Sequence, residues 1–117
     1  MSVPFVSRNW VRGDSQLIYC TITHNGEVID ITGYTFYFTV KKNWNLTDAD
    51  AVIALTITDL SDPTNGKFTI AVSATLTEEL LGNYVYDIRL KNTGDKVITL
   101  ENGEINWIKD ASRRAVP

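Results

Sequence analysis

The feature that most constrains this chain is a strict alternation of apolar and other side chains, repeated along its length. In Tyr34–Lys42, Tyr34, Phe36, Phe38 and Val40 fall on one side and Thr35, Tyr37, Thr39 and Lys41 on the other. Successive side chains of a strand point to opposite faces, so the pattern predicts a strand with one face in the core. The same rule sets Ile53, Leu55 and Ile57 opposite Ala54, Thr56 and Thr58, and Phe68, Ile70 and Val72 opposite Lys67, Thr69 and Ala71. In Asn83–Lys91 it turns Tyr84, Tyr86, Ile88 and Leu90 inward, and in Val97–Glu101 it turns Ile98 and Leu100 inward. Gln16–Thr23 is less regular, with Leu17 and Tyr19 competing against Ile18, Cys20 and Ile22; its β-branched content favours a strand with the latter three inside.

Turn residues separate these runs: Asn25-Gly26, Asp62-Pro63-Thr64-Asn65-Gly66, Asn92-Thr93-Gly94-Asp95 and Asn102-Gly103. One short helical turn is expected over Leu76–Leu81, with Thr75 and Glu78 as a capping box and Gly82 as the left-handed stop. About seven strands with one apolar face each predict an all-β fold, an antiparallel immunoglobulin-like β-sandwich. A closed barrel satisfies the same alternation. The 117 residues suffice for one core, so a single domain over residues 1–117 is expected, with its core at about 6–108 and short tails.

The chemistry-bearing residues are few. A net charge of −3 provides no basic field for nucleic acid, and Arg113-Arg114 is too short a basic cluster to change that. Cys20 has no partner for an intramolecular disulfide. No stretch resembles a secretion signal or approaches the ~20 apolar residues that span a bilayer, so synthesis in a cytoplasm and no membrane partner are expected. In that setting the glycosylation pattern Asn45-Leu46-Thr47 carries no weight. His24 is the only histidine and reads as a turn residue, which with one cysteine removes the usual zinc patterns. Asp48 with Asp50, and Asp59 with Asp62, lack the calcium-loop framework, and Glu78-Glu79 suits a first helical turn. Without a phosphate-binding glycine loop, nucleophile elbow or dinucleotide fingerprint, no enzyme, cofactor or metal site is expected.

Recognition is left to Trp10, Trp44 and Trp107, each with core or sheet-edge packing as the competing explanation. Trp44, in the polar Lys42–Asp50 loop, supports an alternative function: a module that binds a glycan or cell-surface receptor through loop aromatics. Arg12-Gly13-Asp14-Ser15 spells an adhesion tripeptide, but it also fits the turn that leads into Gln16–Thr23. There Gly13 takes a conformation other residues resist, and Asp14 and Ser15 cap through their side-chain oxygens.

The segment Leu80-Leu81-Gly82-Asn83-Tyr84-Val85-Tyr86-Asp87-Ile88 has tyrosine-corner spacing, Gly82 preceding Tyr84 by two, with Tyr86 where an antibody domain carries its second cysteine. Together with Arg12-Gly13-Asp14-Ser15, Asp30-Ile31-Thr32-Gly33 and Glu101-Asn102-Gly103-Glu104, it resembles the N-terminal domain of tailed-phage baseplate upper proteins and related virion-associated immunoglobulin-like domains. The likeness runs from about Val6 to Ile108. It implies a non-enzymatic virion protein of a tail, baseplate or head-tail assembly that holds other virion proteins by its sheet faces and loops. It also implies homo-oligomers, as a trimer or ring, and Gly13, Asp14, Gly33, Gly82 and Tyr84 as structural landmarks. Family members often continue into coiled or receptor-binding regions; this chain stops at Pro117.

Overall fold

A computed structural model describes residues 5–109; Arg113-Arg114 lie outside them. The strands are β1 (Phe5–Val11), β2 (Gln16–Thr21), β3 (Thr23–His24), β4 (Glu27–Val28), β5 (Thr35–Lys41), β6 (Ile53–Ile57), β7 (Lys67–Val72), β8 (Gly82–Lys91) and β9 (Val97–Ile108), with a short α-helical turn, α1 (Ala74–Thr77), and 3-10 turns at Asp48–Asp50 and Pro63–Asn65. They form a five-stranded sheet in the order β1-β9-β8-β5-β6, a two-stranded sheet β2-β7, and the small β3-β4 hairpin. The β2-β7 sheet lies over one face of the large sheet, where the Phe68 ring stacks on Phe36 with centroids 3.8 Å apart. The arrangement is a β-sandwich.

Alternation in sequence becomes alternation in burial. Phe36, Phe38 and Val40 of β5, Phe68, Ile70 and Val72 of β7, and Tyr86 of β8 are all at most 1% exposed. Removing side chains of this size from water stabilises by roughly 1.5–3 kcal/mol each. On β2, Ile18 is buried and Cys20 packs against the core, while Leu17 and Tyr19 face outward at 54% and 77% exposure. Ahead of β5, the Asp30 carboxylate accepts hydrogen bonds from the Thr32 amide (3.0 Å) and hydroxyl (2.6 Å). That turn drives Ile31 fully into the core and delivers the chain through Gly33, at φ +83°, into β5.

In its secondary structure the molecule departs from the sequence expectations at four places. β1 is an additional strand, and it runs parallel to β9 with Arg8 opposite Ile105 and Trp10 opposite Trp107, whereas every other pair is antiparallel. Asn102-Gly103 is not a turn but lies within β9, between Tyr86 and Val6. A Cβ on Gly103 would come 1.8 Å from the Val6 carbonyl oxygen, so the glycine is there to let β1 approach. A bulge between Ile88 and Arg89 resets the β9 phase: Ile88 pairs with Glu101 and Arg89 with Thr99. Glu101, Gly103, Ile105 and Trp107 then share the inward face, Leu100 is only partly buried, and Ile98, beside the exposed hairpin, is 39% exposed. Finally, the helical turn begins two residues before Leu76, with Ser73 at the N-cap and no side-chain cap bond. Gly82 therefore opens β8 rather than closing the helix.

Candidate functional site

Three places gather side chains that packing alone does not require. The first is a polar cluster on the inward face of β1, β9 and β8. The Arg8 guanidinium donates from Nε to the Tyr86 hydroxyl (3.1 Å) and from Nη2 to Glu101 Oε2 (2.8 Å), and the Tyr86 hydroxyl donates to the same Oε2 (2.5 Å). Arg8 also lies 5.7 Å from the Tyr86 ring centre and 5.9 Å from that of Trp10. Burial works against the Arg8 charge, but its hydrogen bonds to Glu101 and Tyr86 hold its pKa above the ordinary value. Burial, reinforced by the bond to Glu101, raises that of the Tyr86 hydroxyl. From the facing sheet Cys20 senses the same cluster: burial first, then the Glu101 charge, push its thiol up to about 11. Such a thiol is protonated at neutral pH and a poor nucleophile. The three groups satisfy one another, and the result is a clamp on β1.

The second place is the Arg12-Gly13-Asp14-Ser15 turn. Gly13 has φ +82°, and its amide donates to Thr77 Oγ1 (2.8 Å). The same hydroxyl contacts the carbonyl oxygens of Asp14 and Ala74, each at 3.1 Å. Thr77 is fully buried, so the turn is latched onto α1 through its backbone, while the Asp14 and Ser15 side chains are exposed. The expected side-chain caps are replaced by one threonine, because its hydroxyl reaches both the turn and the helix.

The third place is on the outward face of the large sheet. Trp44, 54% exposed, lines a shallow recess of about 40 Å³, open to solvent, together with Thr39, Lys41, Val85 and Asp87. The other two tryptophans are interior. Trp107 is 1% exposed and meets the half-buried Trp10 edge to face at 5.4 Å, so it is not accessible to a partner. Each lies two residues from an inward neighbour, Ile105 for Trp107 and Arg8 for Trp10, and therefore shares its core-facing side. Tyr84 is buried at the head of β8, but the long-range hydrogen bonds come from Tyr86, two residues on.

Sequence reasoning missed Arg8 and Glu101 as partners. The available signal was a charged residue two positions from Trp10 and another in phase with Ile105. His24 is exposed beside the Asn25-Gly26 turn. Among the described residues no three His, Cys, Asp or Glu side chains are grouped to hold a metal, and no helix is long and apolar enough to cross a membrane.

Two packed sheets with a clamped first strand define an immunoglobulin-like β-sandwich domain. The chain belongs to the BppU N-terminal domain family of phage baseplate upper proteins, whose family model matches residues 10–111. Among solved structures it is similar to the N-terminal domain of phage TP901-1 ORF48, at 14% identity and a TM-score of 0.53, over 92% of this chain and 89% of that one. At that identity the likeness concerns the fold. No curated protein matches the chain.

Proposed function

We propose that this chain is a non-enzymatic structural module of a phage or prophage virion, built into a tail, baseplate or head-tail assembly and acting through protein-protein contacts. The observation that carries the reading is the family match over residues 10–111. The surface supports it. Leu17 and Tyr19 stand outward on β2, and each strand of the β2-β7 sheet has a strand neighbour on one side only. Exposed apolar residues beside open edges are a liability unless something covers them. The partners in this reading are other virion or tail proteins, with a homo-oligomer such as a trimer or ring by analogy with symmetric assemblies. The protein is made in the bacterial host cytoplasm and carried on the virion.

A phage complemented with an epitope-tagged copy tests this. Gold-labelled antibody on purified particles is expected at one fixed place on the tail or head-tail junction, and particles without the tagged chain would overturn the reading. Leu17→Ser with Tyr19→Ser is expected to reduce incorporation while leaving the melting temperature of the isolated protein nearly unchanged.

A further inference from the structure

Asn-Gly occurs three times in the chain, at Asn25-Gly26, Asn65-Gly66 and Asn102-Gly103. The pair has a chemistry of its own, because the main-chain nitrogen that follows an asparagine can attack the side-chain amide carbon and close a succinimide ring. Glycine hinders that attack least, since it lacks a Cβ and reaches backbone conformations other residues resist. The remaining asparagines precede tryptophan, leucine, tyrosine or threonine, whose side chains stand in the way. Sequence therefore makes the three glycine pairs equal, and the fold separates them.

At Asn65-Gly66 both reacting groups are held. The buried Gly66 donates its amide hydrogen to the Pro63 carbonyl (3.0 Å), and the Asn65 carboxamide donates to Asp62 Oδ2 (3.0 Å). A Cβ on Gly66 would come 2.8 Å from the Ile22 and Ile29 carbonyl oxygens, so the backbone has no room to rotate. Asn102-Gly103 lies within β9 with its glycine buried between Tyr86 and Val6, and it turns only if three strands part. Asn25-Gly26 instead joins β3 to β4, and all four residues of those strands are exposed. Its φ angles, 54° and 81°, are the paired left-handed values of a type I′ turn. Apart from chain neighbours, nothing lies within 4 Å of a Cβ on Gly26. Among the described residues no hydrogen bond engages the Gly26 amide or the Asn25 carboxamide. A hairpin end of this kind opens locally at little cost.

We propose that Asn25-Gly26 is a site of spontaneous modification, deamidating in the folded protein with solvent water as the only co-reactant. The Gly26 nitrogen bonds to Asn25 Cγ and gives up its proton, the bond from Cγ to Nδ2 breaks, and ammonia leaves. Water then opens the succinimide. Addition at Cγ yields aspartate, and addition at the main-chain carbon yields isoaspartate, in which the chain runs through the former side chain. No oxidant or reductant takes part. Either product places a new carboxylate beside Glu27 and adds one negative charge to a chain already at −3. Aspartate still suits the type I′ turn, whereas isoaspartate lengthens the loop by a methylene and is incompatible with it. The disturbance stops at Ile22 and Ile29, where the Ile29 amide donates to the Ile22 carbonyl (3.1 Å) and both side chains pack against the core. Product therefore accumulates without unfolding. The inference does not depend on where in a virion the chain is placed.

The test ages the whole chain in warm, mildly alkaline buffer, with and without urea, and follows each asparagine by peptide mass spectrometry and isoaspartyl methyltransferase labelling. In the folded protein Asn25 is expected to convert at least about tenfold faster than Asn65 or Asn102, because only its segment reacts without opening the sandwich. In urea the three rates should converge. The acidic isoform that isoelectric focusing resolves on ageing should be absent from Asn25→Gln, whose longer side chain closes the corresponding ring poorly. Asn65 or Asn102 keeping pace with Asn25 in the folded protein overturns the proposal. So does an Asn25 that converts in urea but not in the folded chain, a rate difference that survives unfolding, or an acidic isoform undiminished in Asn25→Gln.

Discussion

Beneath β7 the interior is dry: Phe68 lies on Phe36, with Phe38, Ile70 and Val40 around them, all at most 1% exposed. Across β8, next to β1, the same inter-sheet space holds Arg8, Glu101 and the Tyr86 hydroxyl, and the Arg8 and Glu101 side chains keep 24% and 21% exposure. The dry half can be filled by any apolar set of the right volume and supplies most of the burial. The polar half contributes less net stability, because desolvating a charge pair offsets much of its attraction. It does specify geometry, since any other placement of β1 leaves a guanidinium without its carboxylate. Cohesion and register are thus assigned to different halves of one interior.

The largest expected effect falls on the dry half. Phe68→Ala removes one ring of a fully buried stack and should cost about 3–5 kcal/mol by urea unfolding. Gly103→Ala comes next, because its methyl group competes with the Val6 carbonyl for one space. A loss of about 3 kcal/mol is expected, with faster hydrogen exchange concentrated in β1. If exchange rises uniformly instead, β1 is not the separable element described above. In the polar half, Glu101→Ala should cost about 1–3 kcal/mol by leaving Arg8 and the Tyr86 hydroxyl without their acceptor. The double change Arg8→Met with Glu101→Leu should recover much of that loss. A double variant no better than the single one would show that the pair contributes cohesion, not only register.

Alkaline stability sharpens the same contrast. The unfolded Cys20 thiol ionises near its ordinary value of 9.0 and the folded one at about 11. Above pH 9 the unfolded chain therefore releases its proton first, so the stabilisation is complete below pH 9 and lost as pH rises through 11. The raised Tyr86 acts in the same sense. Melting temperatures of Cys20→Ala should fall less steeply over that range than those of the unsubstituted protein. The smallest effect is expected for Trp44→Ala, within about 0.5 kcal/mol, because the ring lies outside both halves of the interior.

The dry half was legible in the sequence and the polar half was not, for a physical reason. In β5, β7 and β8 every inward position is apolar or aromatic, so a period of two shows through. In β1 the inward positions are Val6, Arg8 and Trp10, and in β9 they include Glu101 and Gly103. A charged residue in the core face erases the alternation, and a glycine chosen for close approach is indistinguishable from a turn glycine in an Asn-Gly pair. The bulge after Ile88 then shifts the phase by one residue, which no local pattern announces. At the surface, Trp44 was found as a candidate from its polar loop, whereas Asp87 became visible only when the sheet placed it beside that ring.

The parallel pairing of the first and last strands also has a mechanical meaning. Phe5 lies beside Asn102 and Val11 beside Ile108, so the start of β1 and the end of β9 are at opposite ends of the pair. A pull that draws Phe5 and Ile108 apart runs along both strands and across the hydrogen bonds between them. All seven residue pairs are then loaded in shear at once, rather than being unzipped in turn. Tension passed through the chain meets the resistance of the whole ladder together, with Arg8 and Glu101 bolting its side.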